Sequence, residues 1–144
     1  MKYTIPKIKL TMVREPATIQ LRTPTDAASA IRSFCCDNPS TESFAVLYLD
    51  GRSRIISGRV VAMGGTSSLV LNAREVFQGA CDAGASAIIV GHNHPSGNPE
   101  PSEADRNMTR NLVESGKVLG IPVMDHVIVT ECGLSHSFMN NGEM

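Results

Sequence analysis

The chain is predicted to fold as a single α/β domain, on three observations. Apolar segments with strand and helix character alternate from residue 43 onward. One of them, Ala85-SAIIV-Gly91, is the short, apolar kind of strand that lies buried and pairs in parallel. The strand, helix and strand that end with it suggest a crossover connection. At 144 residues the chain is long enough to bury a core without disulfides or a structural metal, so a metal here would be catalytic before structural.

The first 22 residues, interrupted by Pro6, Arg14, Glu15 and Pro16, lack the apolar core and small-residue cleavage site of a signal peptide. They are read as an N-terminal extension (1–22) to a domain spanning 23–144. Residues 24–36 form the first helix: Thr23 caps it, Pro24 suits its first position, and Ala27, Ala28, Ile31 and Phe34 keep helical spacing until Asp37-Asn38-Pro39-Ser40 ends it. Ser43 to Asp50 then reads as a buried strand with Glu42 at its start. Asp50-Gly51 makes a tight turn, and a strand returning from Arg54 completes an antiparallel hairpin. Gly64 and Gly65 mark a bend or bulge rather than a phosphate loop, since no glycine-rich phosphate motif follows.

Asn72 with Glu75 three residues on resembles a capping box, opening a helix that runs through Ala83 and stops at Gly84. His92 and His94 are expected just past the end of the Ala85–Gly91 strand, where α/β sheets place ligands. Pro95 to Pro101 is a rigid loop, after which Ser102 caps a helix from Glu103 to about Leu119. Val123–Thr130 and Leu134–Phe138 are the last strands.

Composition excludes more than it selects. Hydrophobic residues make up 42% and charged residues 19%, and no apolar run reaches the length of a membrane span, so no membrane partner and a cytoplasmic location are expected. The four cysteines, Cys35, Cys36, Cys81 and Cys132, show neither metal-binding nor disulfide spacing; Cys81 and Cys132 are expected to be buried as small hydrophobes. Charge is uneven, with nine Lys/Arg against five Asp/Glu in residues 1–60 and four against nine thereafter. Neither half carries a nucleic-acid footprint, and Arg52, Arg54 and Arg59 read as a solvated face.

Chemistry is concentrated between His92 and Asp105. Two histidines at i and i+2 in an extended segment point to the same side, with Asn93 facing the other way. A catalytic zinc takes three such protein ligands at roughly 2.0–2.1 Å and keeps a fourth position for water, and Asp105 is the natural third ligand. Ser102 and Asp105, three apart in the first turn of a helix, share a face near the positive end of its dipole. Zinc at His92, His94 and Asp105 would lower the pKa of water towards roughly 7, and a carboxylate outside the ligand set would take up the proton.

The set Glu42, His92-Asn93-His94 and Ser102-Glu103-Ala104-Asp105 resembles the JAMM motif of the JAB/MPN metalloproteases. The wording HNHPSGNPEPSEAD, with the later Asp125-His126-Val-Ile-Val, resembles the RadC-like branch in particular, over roughly residues 23–138. This resemblance implies a three-layer, cytidine-deaminase-like architecture with a mixed central sheet flanked by helices. It implies one zinc per chain on His92, His94 and Asp105, with Glu42 as general base and Ser102 assisting the oxyanion. It also implies hydrolysis of a peptide or isopeptide bond in an unidentified peptide or protein-conjugate substrate. The alternative is a non-catalytic accessory or binding module in DNA metabolism. A nucleic-acid partner is weakly supported, because the helix-hairpin-helix segment that RadC-like proteins usually carry has no counterpart before residue 23. A zinc nucleobase deaminase is set aside, since H-x-E with P-C-x-x-C is absent.

Asp125 and His126 point to opposite faces if Val123–Thr130 is a strand, so at most one can face the site. Both are read as supporting or structural, with Asp125 a plausible carboxylate to orient a ligand imidazole. His136 is expected at the surface.

Overall fold

The structure is a computed structural model that describes residues 19–64 and 71–144. Its elements, in chain order, are α1 (Pro24–Cys35), β1 (Glu42–Leu49), β2 (Ile55–Gly64), α2 (Ala73–Asp82), β3 (Ala87–Asn93), α3 (Glu103–Leu119), β4 (Val123–Val129) and β5 (Ser135–Ser137). The strands form one mixed sheet in the order β2-β1-β3-β4-β5. β3 runs parallel to β4 through the α3 crossover, and the other neighbouring pairs are antiparallel. The α/β class, the hairpin and the mixed sheet between helices are all present. No helix of the described residues is long and apolar enough to cross a membrane.

Side-chain alternation along the central strands divides the interior into two cores. Phe44, Val46 and Tyr48 of β1 join Ile88 and Val90 of β3 against Val76, Phe77 and Ala80 of α2 and Leu112 of α3. Ala45, Leu47 and Leu49 join Ile89, Val127 and Val129 against Ala27, Ala28, Ile31 and Cys35 of α1. Helices therefore cover both faces, which is why β1 reads as an unbroken apolar run rather than an alternating one.

Several local expectations are met and others corrected. Thr23 and Pro24 open α1, and Asp26 completes a reciprocal capping box. Asn72 caps α2, but by accepting from the Arg74 N–H; no return bond from Glu75 closes a box there. The hairpin loop is wider than an Asp50-Gly51 turn. It spans Asp50 to Arg54, with Ser53 rather than Gly51 in the left-handed region (φ 58°). The Asp50 carboxylate holds this loop by accepting from the main-chain N–H groups of Arg52 and Arg54. Arg52 lies in that loop and Arg54 pairs with Asp50, so only Arg59 of the basic strip belongs to β2. Residues 19–21 lie against its far side, with Gln20 bridged to Arg54. Cys81 and Cys132 are exposed, not buried, because each falls on the outward side of a helix end or turn; Cys35 is the buried thiol. Gly64 ends β2, and Gly65 lies outside the described residues.

β3 is displaced towards its C-terminus relative to the expected strand: it starts at Ala87 and runs to Asn93, so His92 is inside it and only His94 lies beyond. β4 carries an irregularity as well. Ile88 pairs with Val123 but Ile89 with Asp125, leaving Met124 as an extra residue. Such a bulge shifts the alternation by one, so Val123 and His126 face the α2–α3 side although their numbers differ in parity.

Gly91 fixes how closely α1 docks on β3. A Cβ there would stand 2.6 Å from the Val127 carbonyl oxygen and 2.7 Å from the nearest Ile31 methyl. Replacing a strand glycine by alanine ordinarily gains about 0.5–1 kcal/mol. Here the clash with main chain reverses the sign: Gly91→Ala is expected to lose about 1–3 kcal/mol in urea unfolding. A neutral or stabilising result would show that the α1 face is loosely packed.

Candidate metal centre

Four acceptor groups from three different elements converge at the C-terminal end of β3. One ligand atom from each of Glu42, His92, His94 and Asp105 lies within 4.8 Å of the others. The Nε2 atoms of His92 and His94 are 3.0 Å apart. Asp105 Oδ1 lies 3.2 Å from His92 Nε2, and Oδ2 lies 3.3 Å from His94 Nε2. Glu42 Oε1 stands at 3.6 Å from His92 Nε2. A tetrahedral zinc with ligands at about 2.0–2.1 Å has ligand atoms separated by roughly 3.3 Å. The two nitrogens and the Asp105 oxygens are spaced like the corners of such a polyhedron, so this group could hold a metal ion.

Each side chain arrives by a short structural route. His92 leaves β3 opposite Phe44 of β1, whose ring stacks on it at 5.8 Å. His94 follows at i+2, and its Nδ1 lies 2.8 Å from the Asn98 carbonyl oxygen. A carbonyl only accepts, so the neutral ring carries its proton on Nδ1 and turns the Nε2 lone pair towards the centre. Asp105 sits in the first turn of α3, where Ser102 Oγ accepts from its N–H and its own Oδ2 accepts from the Ser102 N–H. This reciprocal box fixes the carboxylate before any ion is considered.

Electrostatics follow from this crowding. Burial would raise Asp105, but the His92 and His94 nitrogens set against its two oxygens outweigh it and hold the carboxyl far below the usual range. The Asp105 carboxylate against its Nε2 favours the protonated ring and raises His94 above the ordinary imidazole value, against the opposing effect of burial. His126 is fully enclosed, and burial drives it well below that value, so it is neutral at pH 7.

Four of the five residues singled out in the sequence converge here, and Ser102, exposed at the helix start, is bonded to Asp105 through the cap. Asp125 does not converge here. It faces away, accepting from Ser137 Oγ at 2.6 Å and from the Met139 N–H, and so ties β5 and the C-terminal tail to β4. It is His126 that touches a site histidine, at 2.9 Å from His92 Nδ1. His136 is mostly covered rather than at the surface: its Nε2 lies 2.7 Å from Glu143, whose other oxygen pairs with Arg106.

Asn93 has a role that its position between two histidines did not reveal. Its Oδ1 accepts from the Ser43 N–H at 2.7 Å, and its Nδ2 donates to the Thr41 carbonyl at 2.9 Å. It thereby grips both neighbours of Glu42 just where the β1–β3 ladder ends. The only sequence signal was an amide side chain at an inward-facing strand position, which needs partners. Asn93→Ala would leave the buried Ser43 N–H unpaired. It is expected to cost about 1–3 kcal/mol and to speed amide exchange at Ser43; unchanged exchange there would count against the clamp.

A family model described as RadC-like JAB domain matches residues 21–143. Among curated relatives, a UPF0758 protein of Syntrophomonas wolfei is 40% identical over 125 residues, covering 82% of this chain and 53% of the relative. A UPF0758 protein of Rubrobacter xylanophilus is 37% identical over 123 residues, covering 85% and 54%. One of Methanospirillum hungatei is 49% identical over 92 residues, covering 64% and 41%. The chain spans about half the length of the first two of these relatives.

Proposed function

The chain belongs to the RadC-like JAB domain family, and from that premise we propose that it is a zinc-dependent metallohydrolase cleaving a peptide or isopeptide bond. The observation that carries this reading is the spacing of the donor set. Two imidazole nitrogens and a carboxylate lie 3.0 to 3.3 Å apart with their acceptor atoms facing one another. Groups so close repel unless a proton or a metal cation lies among them, and imidazole with carboxylate is a donor set that suits zinc.

His92, His94 and Asp105 would hold the ion. When bound, zinc supplies a Lewis acid that lowers the pKa of water to about 7 and polarises a carbonyl. Glu42, with a quarter of its side chain still exposed, stands at the open side of the set, able to accept a proton and return it to a leaving amine. Ser102 uses a lone pair, not its proton, to cap α3. The hydroxyl proton remains available to an oxyanion developing on the scissile carbonyl. An unidentified peptide or protein conjugate is the substrate class this chemistry suits.

Metal analysis of the purified protein is expected to give close to one zinc per chain, and His94→Ala to abolish it; zinc retained in that variant would overturn the ligand assignment. Glu42→Gln is expected to keep the metal and lose about 10²–10⁴-fold in hydrolysis of a peptide or isopeptide library. Activity surviving that change would mean another group carries the proton. Steeply salt-dependent DNA binding by the wild type, with no cleavage of either library, would instead favour an accessory role in DNA metabolism.

A further inference from the structure

Behind His92 the hydrogen bonds continue into the interior as a series with a defined end. His92 Nδ1 lies 2.9 Å from His126 Nε2, and His126 Nδ1 lies 2.6 Å from Thr109 Oγ1. Thr109 Oγ1 in turn lies 2.7 Å from the main-chain carbonyl oxygen of Asp105, one turn earlier in α3. His92, His126 and Thr109 are each no more than 1% exposed.

Taken singly, the histidine links have no direction, because a neutral imidazole carries its proton on either nitrogen and a hydroxyl both donates and accepts. The last link has one. Two oxygens 2.7 Å apart need a proton between them, and a carbonyl has none to give, so Thr109 donates to Asp105. A hydroxyl has a single proton, and towards His126 it must therefore accept. His126 then holds its proton on Nδ1 and accepts at Nε2, which obliges His92 to donate from Nδ1. In the neutral ring, the Nε2 of His92 is left with its lone pair aimed at His94, Asp105 and Glu42. The reverse order would set two oxygens lone pair to lone pair at Thr109, and would put a proton on the His92 nitrogen that faces the site.

We propose that Thr109 and His126 are positioning residues that set the tautomer of His92, with the main-chain carbonyl of Asp105 as the origin of the proton order. The residue whose carboxylate lies against His92 Nε2 thus also dictates, through its backbone and three hydrogen bonds, that this nitrogen is free to bind. Two features hold His126 in line. The extra residue at Met124 turns it to the α3 side of the sheet, and its ring lies stacked on Phe138 at 4.7 Å with Phe44 against its edge. The purpose assigned to the series rests on the metal-centre reading above; the proton order does not.

The test is a long-range proton–nitrogen correlation spectrum of the metal-free, nitrogen-15-labelled chain, alongside zinc affinity measured by chelator competition. His92 and His126 are expected to show the Nδ1–H pattern in the wild type. Thr109→Val, nearly the same shape, removes the proton that orders the series. It is expected to mix the tautomers of both rings and to weaken zinc binding by about 10-fold to 100-fold, while Thr109→Ser restores both. An Nε2–H pattern on His92 in the wild type, or an unchanged tautomer and zinc affinity in Thr109→Val, would overturn the proposal. A wild type that shows the Nδ1–H pattern but binds no zinc would uphold the proton order and refute the metal reading, so the two fail separately.

Discussion

Four acceptor atoms held within 4.8 Å of one another repel, and the surrounding structure is organised around keeping them there. Three of the four side chains are held by neighbouring groups, and the fourth, Glu42, is placed through its backbone. His92 is stacked on Phe44 and bonded at Nδ1. His94 is bonded at Nδ1 to a loop carbonyl. Asp105 is held by the helix cap it helps to form, and the backbone on both sides of Glu42 is gripped by Asn93. These supports are hydrogen bonds and packing within the protein, so part of the cost of ordering the site is met during folding.

One feature of β3 allows so much to be done by so few residues. Alternation sends His92 to the face covered by α2 and α3, and Asn93 to the face covered by α1. Adjacent residues can therefore serve the same site from opposite sides of the sheet, one as a donor and the other as the clamp on the strand that brings Glu42. Gly91 belongs to the same economy. Its missing side chain lets Ile31 press against β3 immediately before His92, so the strand is braced just where its side chains must be placed accurately.

Much of this was legible in the sequence because it is local. Helix caps, the hairpin and the buried run Ile88–Val90 follow from residue type and spacing. The site residues were legible because the motif joins them in a short stretch, with Glu42 alone supplied from a distance by resemblance. What escaped depends on register. Asn93 acts on Thr41 and Ser43 only because β1 pairs with β3. Choosing between Asp125 and His126 required knowing that Met124 is an extra residue in β4, and no local pattern marks a bulge at that position. The exposure of Cys81 and Cys132 is not legible for the opposite reason: the residue type favours burial in general, while at these positions the element's outward face decides.

The capping box at the start of α3 explains why Ser102 and Asp105 can each do two things at once. A helix N-terminus needs acceptors for its free N–H groups, and a carboxylate and a hydroxyl oxygen meet that need through lone pairs. Capping therefore uses only Oδ2 of Asp105 for a backbone bond, leaving Oδ1 turned to His92 at 3.2 Å, and does not use the hydroxyl proton of Ser102. Had the cap been an asparagine or glycine, helix stability would be little changed, because these residues also cap well. The hydroxyl proton would be gone, however, and with glycine the bond that fixes Asp105 from its N–H side would be gone as well. Stability alone thus leaves the choice of serine undetermined, and it is the proposed chemistry beside it that would distinguish the alternatives.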